Sequence, residues 1–220
     1  MNKVHEIFPL IVYQGSIDSH DYMKDHIDVL REYWFDGYEN ESPEYSGRIF
    51  LHQEEYCKPF FKDLKTNVDE YLNHLNVDSS KLDYHVSKSW VGFHDGEVPE
   101  LRPHNESNIS FVYYVKSSEN SDKFCLVDKD NRNQNTGGLF ETSKQRNTIL
   151  SFNKYNCNRY TITPYEGSVL LFPSDVIHQT LESQYRDERI VIAGDIRVTL
   201  KPEYYNHHQC CTHPSQWLEL

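Results

Sequence analysis

No stretch of this 220-residue sequence approaches the ~20 consecutive apolar residues that a membrane-spanning helix needs. The apolar run at residues 8–13 contains Pro9 and is too short for a signal-peptide core. Positive charge is scarce: Lys and Arg total 22 against 34 Asp and Glu, a net charge of −12. That balance argues against broad binding to a phosphate backbone, which needs a basic face, and against a basic membrane-surface patch. Cysteine is sparse and unpatterned. The five, at 57, 125, 157, 210 and 211, form no Cys-x-x-Cys pair, and an odd number cannot all pair internally. Reduced thiols and a cytoplasmic location are therefore expected. Several catalytic signatures are missing as well. There is no Gly-rich phosphate loop and no Gly-x-Ser-x-Gly elbow, and His5-Glu6 fails as a zincin motif because Pro9 stands where the second histidine belongs.

What is present points to a folded core. Leu, Ile, Val and Phe make up 55 of the 220 residues, above the share of roughly 20% below which highly charged chains stay disordered. Aromatic residues account for 14%, 16 of them tyrosines, so the core is expected to be aromatic-rich.

Residues 5–13 read as a short strand. Met23, Ile27, Leu30 and Trp34 then recur at helical spacing, with Asp18 and Ser19 as candidate N-caps and Gly37 as a stop. A second helix has Pro59 in its first turn and Phe61, Leu64, Val68, Leu72 and Leu75 along one face. Beyond residue 82 the period changes. Short runs rich in Val, Ile, Tyr and Phe occupy 83–93, 108–116, 123–128, 148–152, 159–163, 168–172, 176–181 and 189–199, with Gly, Pro and Asn between them. This pattern predicts a sandwich, barrel or jelly roll. Residues 129–147 read as a long polar loop. The whole is expected to be one domain: 1–81 as a strand and helical support, 82–200 as the β core and 201–220 as a tail.

The most informative stretch is Arg102-Pro-His-Asn-Glu-Ser-Asn-Ile-Ser-Phe-Val-Tyr-Tyr-Val, residues 102–115. His104 and Glu106 are two apart ahead of a strong β-former, so in an extended chain they share a face roughly 6.6 Å apart at Cα. A third ligand must come from a distant strand. His178, in Leu-Leu-Phe-Pro-Ser-Asp-Val-Ile-His-Gln-Thr, residues 170–180, is the natural candidate. Two histidines and a carboxylate on one face of a metal leave positions open for oxygen chemistry. Arg189 opens the apolar strand Arg-Ile-Val-Ile-Ala-Gly at 189–194. Its fixed fork of donors suits a carboxylate. Arg186 and Arg197 are lower-ranked carboxylate binders, and Asp187, Glu188 and Asp195 are the acids that would otherwise pair with Arg189. His207, His208, Cys210, Cys211 and His213 lack paired ligand spacing and read as a tail that packs.

His-x-Glu, a Tyr-Tyr strand, Pro-x-x-Gly-x-x-x-x-Phe-Pro, a distal His and a following Arg together resemble the Fe(II)- and 2-oxoglutarate-dependent dioxygenases. The likeness is greatest to the phage-type 2OG-Fe(II) oxygenases and extends more distantly to prolyl hydroxylases. It covers about residues 83–199. The resemblance implies a double-stranded β-helix with the metal between its sheets. His104, Glu106 and His178 would hold Fe(II). Arg189 would bind the distal carboxylate of 2-oxoglutarate, and the Tyr114 hydroxyl would donate to it. Trp90 matches a tryptophan preceding the first ligand. Two positions depart from the family pattern: the carboxylate, usually Asp, is Glu106, and the small residue often found after the serine is Phe111. The implied reaction couples oxidative decarboxylation of 2-oxoglutarate by O₂ to oxidation of a substrate C–H bond, most simply hydroxylation. The substrate would be a small molecule or a protein side chain, and the compartment the cytoplasm, a host's if the chain is phage-encoded. A cupin-like metalloenzyme that does not use 2-oxoglutarate, and a non-catalytic jelly-roll module, remain alternatives on sequence alone.

Overall fold

Eight antiparallel strands among the described residues build two facing sheets. The computed structural model describes residues 2–35, 48–94, 103–104, 106–118, 123–128, 149–181, 188–204 and 213–218. The strands are β1 (Tyr13–Ser16), β2 (Leu82–His94), β3 (Ile109–Lys116), β4 (Lys123–Val127), β5 (Arg159–Ile162), β6 (Ser168–Pro173), β7 (Ile177–Leu181) and β8 (Arg189–Leu200). A five-stranded sheet runs β1-β6-β3-β8-β2 and a three-stranded sheet runs β5-β4-β7. This is the expected jelly roll, with helices α1 (His20–Asp25), α2 (Ile27–Phe35) and α3 (Lys58–His74) laid on the outside of the larger sheet.

Strand alternation sorts the side chains of the larger sheet into two faces. Phe111, Tyr113 and Val115 of β3, Val169 and Leu171 of β6, and Ile190, Ile192 and Ile196 of β8 point outward and pack on the helices. Met23, Leu30, Phe60, Leu64, Val68 and Tyr71 meet them there. The Phe60 ring stacks on Tyr113 at 4.8 Å. The intervening residues, Tyr114, Leu170, Phe172 and Val191, point inward against Phe124 and Leu126 of the smaller sheet. The space between the sheets is thus walled by aromatic and aliphatic groups.

Four expectations need correction. The 5–13 segment joins the sheet only at Tyr13: Pro9 has no N–H for a ladder, Phe8 takes a positive φ of 58°, and Val4, Ile7 and Leu10 are exposed. The first helix is two, broken at His26. There the imidazole Nδ1 bonds the Tyr22 carbonyl at 2.8 Å and the ring stacks beside Tyr22 and Tyr56. Ser19 sits at the N-cap without a side-chain cap bond. Residues 149–152 form no strand, because the turn that follows bonds its own side chains: Asn156 accepts from the Asn153 N–H and Asn153 from the Tyr155 N–H. In α3, Leu64, Val68 and Leu72 are buried as expected, joined by Phe60 and Tyr71, whereas Leu75 lies past the helix end and is exposed. Gly37, the 129–147 loop and residues 205–212 of the tail lie outside the described residues.

Candidate metal centre

Strand register gathers a polar row on an otherwise apolar inner face. Lys88 of β2 stands opposite Asp195 of β8. Asp195 stands opposite Ser110 of β3, and Ser110 opposite Phe172 of β6. His104 lies just before β3, held by its own N–H, which donates to the Ser174 carbonyl at 2.7 Å. His178 comes from the facing sheet, on β7 opposite Leu126 of β4. The two imidazoles approach to 5.2 Å between ring centroids, tilted by 60°.

Both rings are fixed from behind. His104 Nδ1 lies 2.7 Å from Asp195 Oδ1, and His178 Nδ1 lies 3.0 Å from the Val176 carbonyl. Both partners are acceptors, so each Nδ1 carries a proton, and in the neutral ring the lone pair is then on Nε2. That is the tautomer a metal-binding histidine requires. His178 sits against Phe172 at 4.8 Å and Phe124 at 5.6 Å. Burial pushes its pKa below the ordinary histidine value, so the ring stays neutral and able to coordinate. The Trp90 ring lies 5.7 Å from that of His104 and closes the site on the β2 side.

Glu106 is not brought to the histidine pair. Its carboxylate is 78% exposed and accepts from Lys88 Nζ at 3.0 Å. That lysine hydrogen bond holds its pKa below the usual carboxylate range. The Glu106 carbonyl accepts from Arg197 Nη2 at 2.6 Å, which places Arg197 at the rim. Among the described residues no three His, Cys, Asp or Glu side chains converge as a ready metal cage. The histidine pair offers donor types that suit a metal, whereas Glu106 in this arrangement is held by Lys88 and not by the pair. An exposed ion pair is weak enough to exchange.

Arg189 and Tyr114 lie together on the inner face, deeper along the strands. Tyr114 pairs with Val191, the next inward residue of β8 after Arg189. Arg189 is only 2% exposed and Tyr114 only 1%. Glu188 accepts from Arg31 at 2.6 Å and Lys116 at 2.7 Å, and Asp195 accepts from His104 and Ser110. Asp187 and Arg186 lie outside the described residues. Phe111, the departure from the family pattern, points to the helix side and away from the site. His213 packs against β2, with its Nε2 3.3 Å from Asp83; the rest of the Cys/His tail lies outside the described residues.

Sequence reasoning did not assign Asp195 to the metal centre. The signal was available in the period of two: positions 189, 191, 193 and 195 share a face of β8, and only the first and last are charged.

Residues 88–195 match a family described as "Putative 2OG-Fe(II) oxygenase". Among solved structures, the chain is similar to a prolyl-4-hydroxylase from Pseudomonas putida, at 14% identity over 84% of this chain and 87% of that one, with a TM-score of 0.50. It is similar also to AviO1 from Streptomyces viridochromogenes, at 10% identity over 87% and 90% of the two chains, with a TM-score of 0.53. The non-heme monooxygenase ThoJ, in a nickel complex, shares 8% identity over 86% and 74%, with a TM-score of 0.54. At such identities these structures establish the fold. No curated protein matches the chain.

Proposed function

The chain belongs to the 2OG-Fe(II) oxygenase superfamily, and on that premise we propose that His104, His178 and Glu106 hold the iron while Arg189 and Tyr114 receive 2-oxoglutarate. The observation that carries this reading is the facing histidine pair, both rings locked as the Nδ1–H tautomer with Nε2 left to coordinate. Bound there, iron supplies the activation of O₂ that couples decarboxylation of 2-oxoglutarate to oxidation of the substrate.

The chain's own residues orient and enclose. His178 is kept neutral by burial, and Phe124, Phe172 and Trp90 pack their rings against the histidine pair. Glu106 completes the ligand set by exchanging Lys88 for the metal. Arg189 offers a bidentate fork to the far carboxylate of 2-oxoglutarate, in a buried setting where an anionic partner counts for most. Tyr114 adds a hydroxyl donor on the same face.

Hydroxylation of a C–H bond in a small molecule or a protein side chain is the simplest outcome. A net charge of −12 disfavours nucleic acid as the substrate. The described cysteines, Cys57, Cys125 and Cys157, are free thiols, in keeping with a reducing compartment such as the cytoplasm. The test is anaerobic titration with Fe(II) and 2-oxoglutarate. The wild-type protein should bind both, and His178→Ala should retain neither the metal nor the cosubstrate chelated to it.

A further inference from the structure

We infer that Asp195 is the positioning residue of the metal centre: its carboxylate sets the orientation and tautomer of His104, and a chain of three serines holds that carboxylate in place. The inference rests on the proposed role of His104 as a ligand and adds a residue to that site.

Asp195 is 6% exposed, on the inner face of a strand otherwise occupied there by Val191 and Ala193. A carboxylate in such a place is costly unless its oxygens are paired. Oδ1 accepts from His104 Nδ1 at 2.7 Å and from Ser110 Oγ at 2.8 Å. Ser110 has one hydroxyl proton, which it gives to the carboxylate, so Ser174 supplies the proton of the 3.0 Å contact between the two serines. Ser107 in turn donates to Ser174 at 2.8 Å. A chain of hydroxyls all pointing toward one anion polarises in a single direction and strengthens each link.

The same serine also fixes the backbone. The Ser174 carbonyl accepts from the His104 N–H, and the Ser174 N–H donates to the Asn108 carbonyl at 3.2 Å. The end of β6 therefore holds both the main chain of His104 and, through Ser110 and Asp195, its ring. Asp195 approaches from the Nδ1 side, opposite the coordinating Nε2. It is an orienting carboxylate and not a ligand of the same ion. Such partners also raise the basicity of the ligand they orient.

The test is performed on the metal-free and Mn(II)-loaded protein, without substrate. Nitrogen-15 shifts of the His104 ring should show a single Nδ1–H tautomer in the wild type. They should show the same in Asp195→Asn, which keeps an acceptor oxygen in place. In Asp195→Val the ring should populate both tautomers, and Mn(II) should bind roughly 10- to 100-fold more weakly, with Asn rescuing most of the loss. A folded Asp195→Val protein that keeps the Nδ1–H form, or binds Mn(II) as tightly as wild type, overturns the inference. If Asp195→Val fails to fold, Ser110→Ala takes its place: it should loosen the tautomer preference and weaken Mn(II) by a few-fold, and no change in either overturns the inference. If the wild type binds no metal while the tautomer responds as stated, the Asp195–His104 coupling stands and the metal reading of the site fails.

Discussion

His104 and His178 lie 74 positions apart and come from opposite sheets, yet both are held by an acceptor on Nδ1 and left open at Nε2. The motif singled them out by residue type and order, and the fold brings their rings together. Asp195 was harder to see, since a lone acid after Ala-Gly looks like an ordinary strand residue until β3 brings Ser110 beside it. Glu106 shows the opposite difficulty. Its spacing from His104 suits a shared metal, but the structure turns its carboxylate to Lys88, a neighbour 18 residues away that no local pattern indicates. Arg189 carries the sharpest prediction at this scale. Arg189→Lys keeps the charge but loses the planar fork. It should leave Mn(II) affinity within about twofold while weakening 2-oxoglutarate by roughly tenfold or more, the equivalent of about 1.4 kcal/mol. Isothermal titration of each ligand separately would check this. Equal losses for both ligands would mean that Arg189 supports the fold and does not recognise the cosubstrate.

At the scale of elements, seven of the strands and α3 were legible. Strands that bury one or both faces announce themselves through runs of Val, Ile, Tyr and Phe, and α3 through its apolar stripe. The break at His26 and the late start of β1 depend on side chains that act across the fold or against the local backbone, through Tyr56 in one case and Pro9 in the other. The β2–β8 pair positions the site, because its register sets Lys88 opposite Asp195. Gly194 lets that pair close. A Cβ there would lie 2.4 Å from the Lys88 carbonyl and 2.7 Å from the Phe111 ring. It also explains how β3 accommodates Phe111, whose ring occupies the space that Gly194 leaves. Gly194→Ala should therefore cost about 1–3 kcal/mol as β8 moves off its neighbours, read as a lower urea midpoint, with a parallel loss of Mn(II) affinity. An unchanged midpoint would show that the strands have slack at this contact.

For the whole molecule, several buried or paired titrating groups are held off their ordinary values. Burial lowers the pKa of His52, His85 and His178, so below about pH 6.5 the unfolded chain takes up protons that the folded chain refuses. Their contribution to stability falls as pH drops through that range. Glu188 is lowered by Lys116 and by Arg31. Its stabilisation is present above the ordinary glutamate value and is lost as pH falls through the depressed one. The two effects have the same sign. Metal-free protein should lose stability continuously from pH 7 to pH 4 in urea melts, and a flat profile would contradict the buried, neutral histidines. At the alkaline end, Cys57 is pushed up to about 12 by burial, so stability should fall again once the unfolded thiol ionises, above about pH 8.5.

One histidine pair, one glutamate and one buried arginine together make the proposed site for iron and 2-oxoglutarate. The most direct measurement is the anaerobic difference spectrum as 2-oxoglutarate is added to the Fe(II)-loaded protein. Binding of 2-oxoglutarate to the iron should produce a visible metal-to-ligand charge-transfer band that saturates at one equivalent, is absent in His178→Ala, and needs more 2-oxoglutarate to saturate in Arg189→Lys. Tight Fe(II) binding with no band at any 2-oxoglutarate concentration would contradict the account.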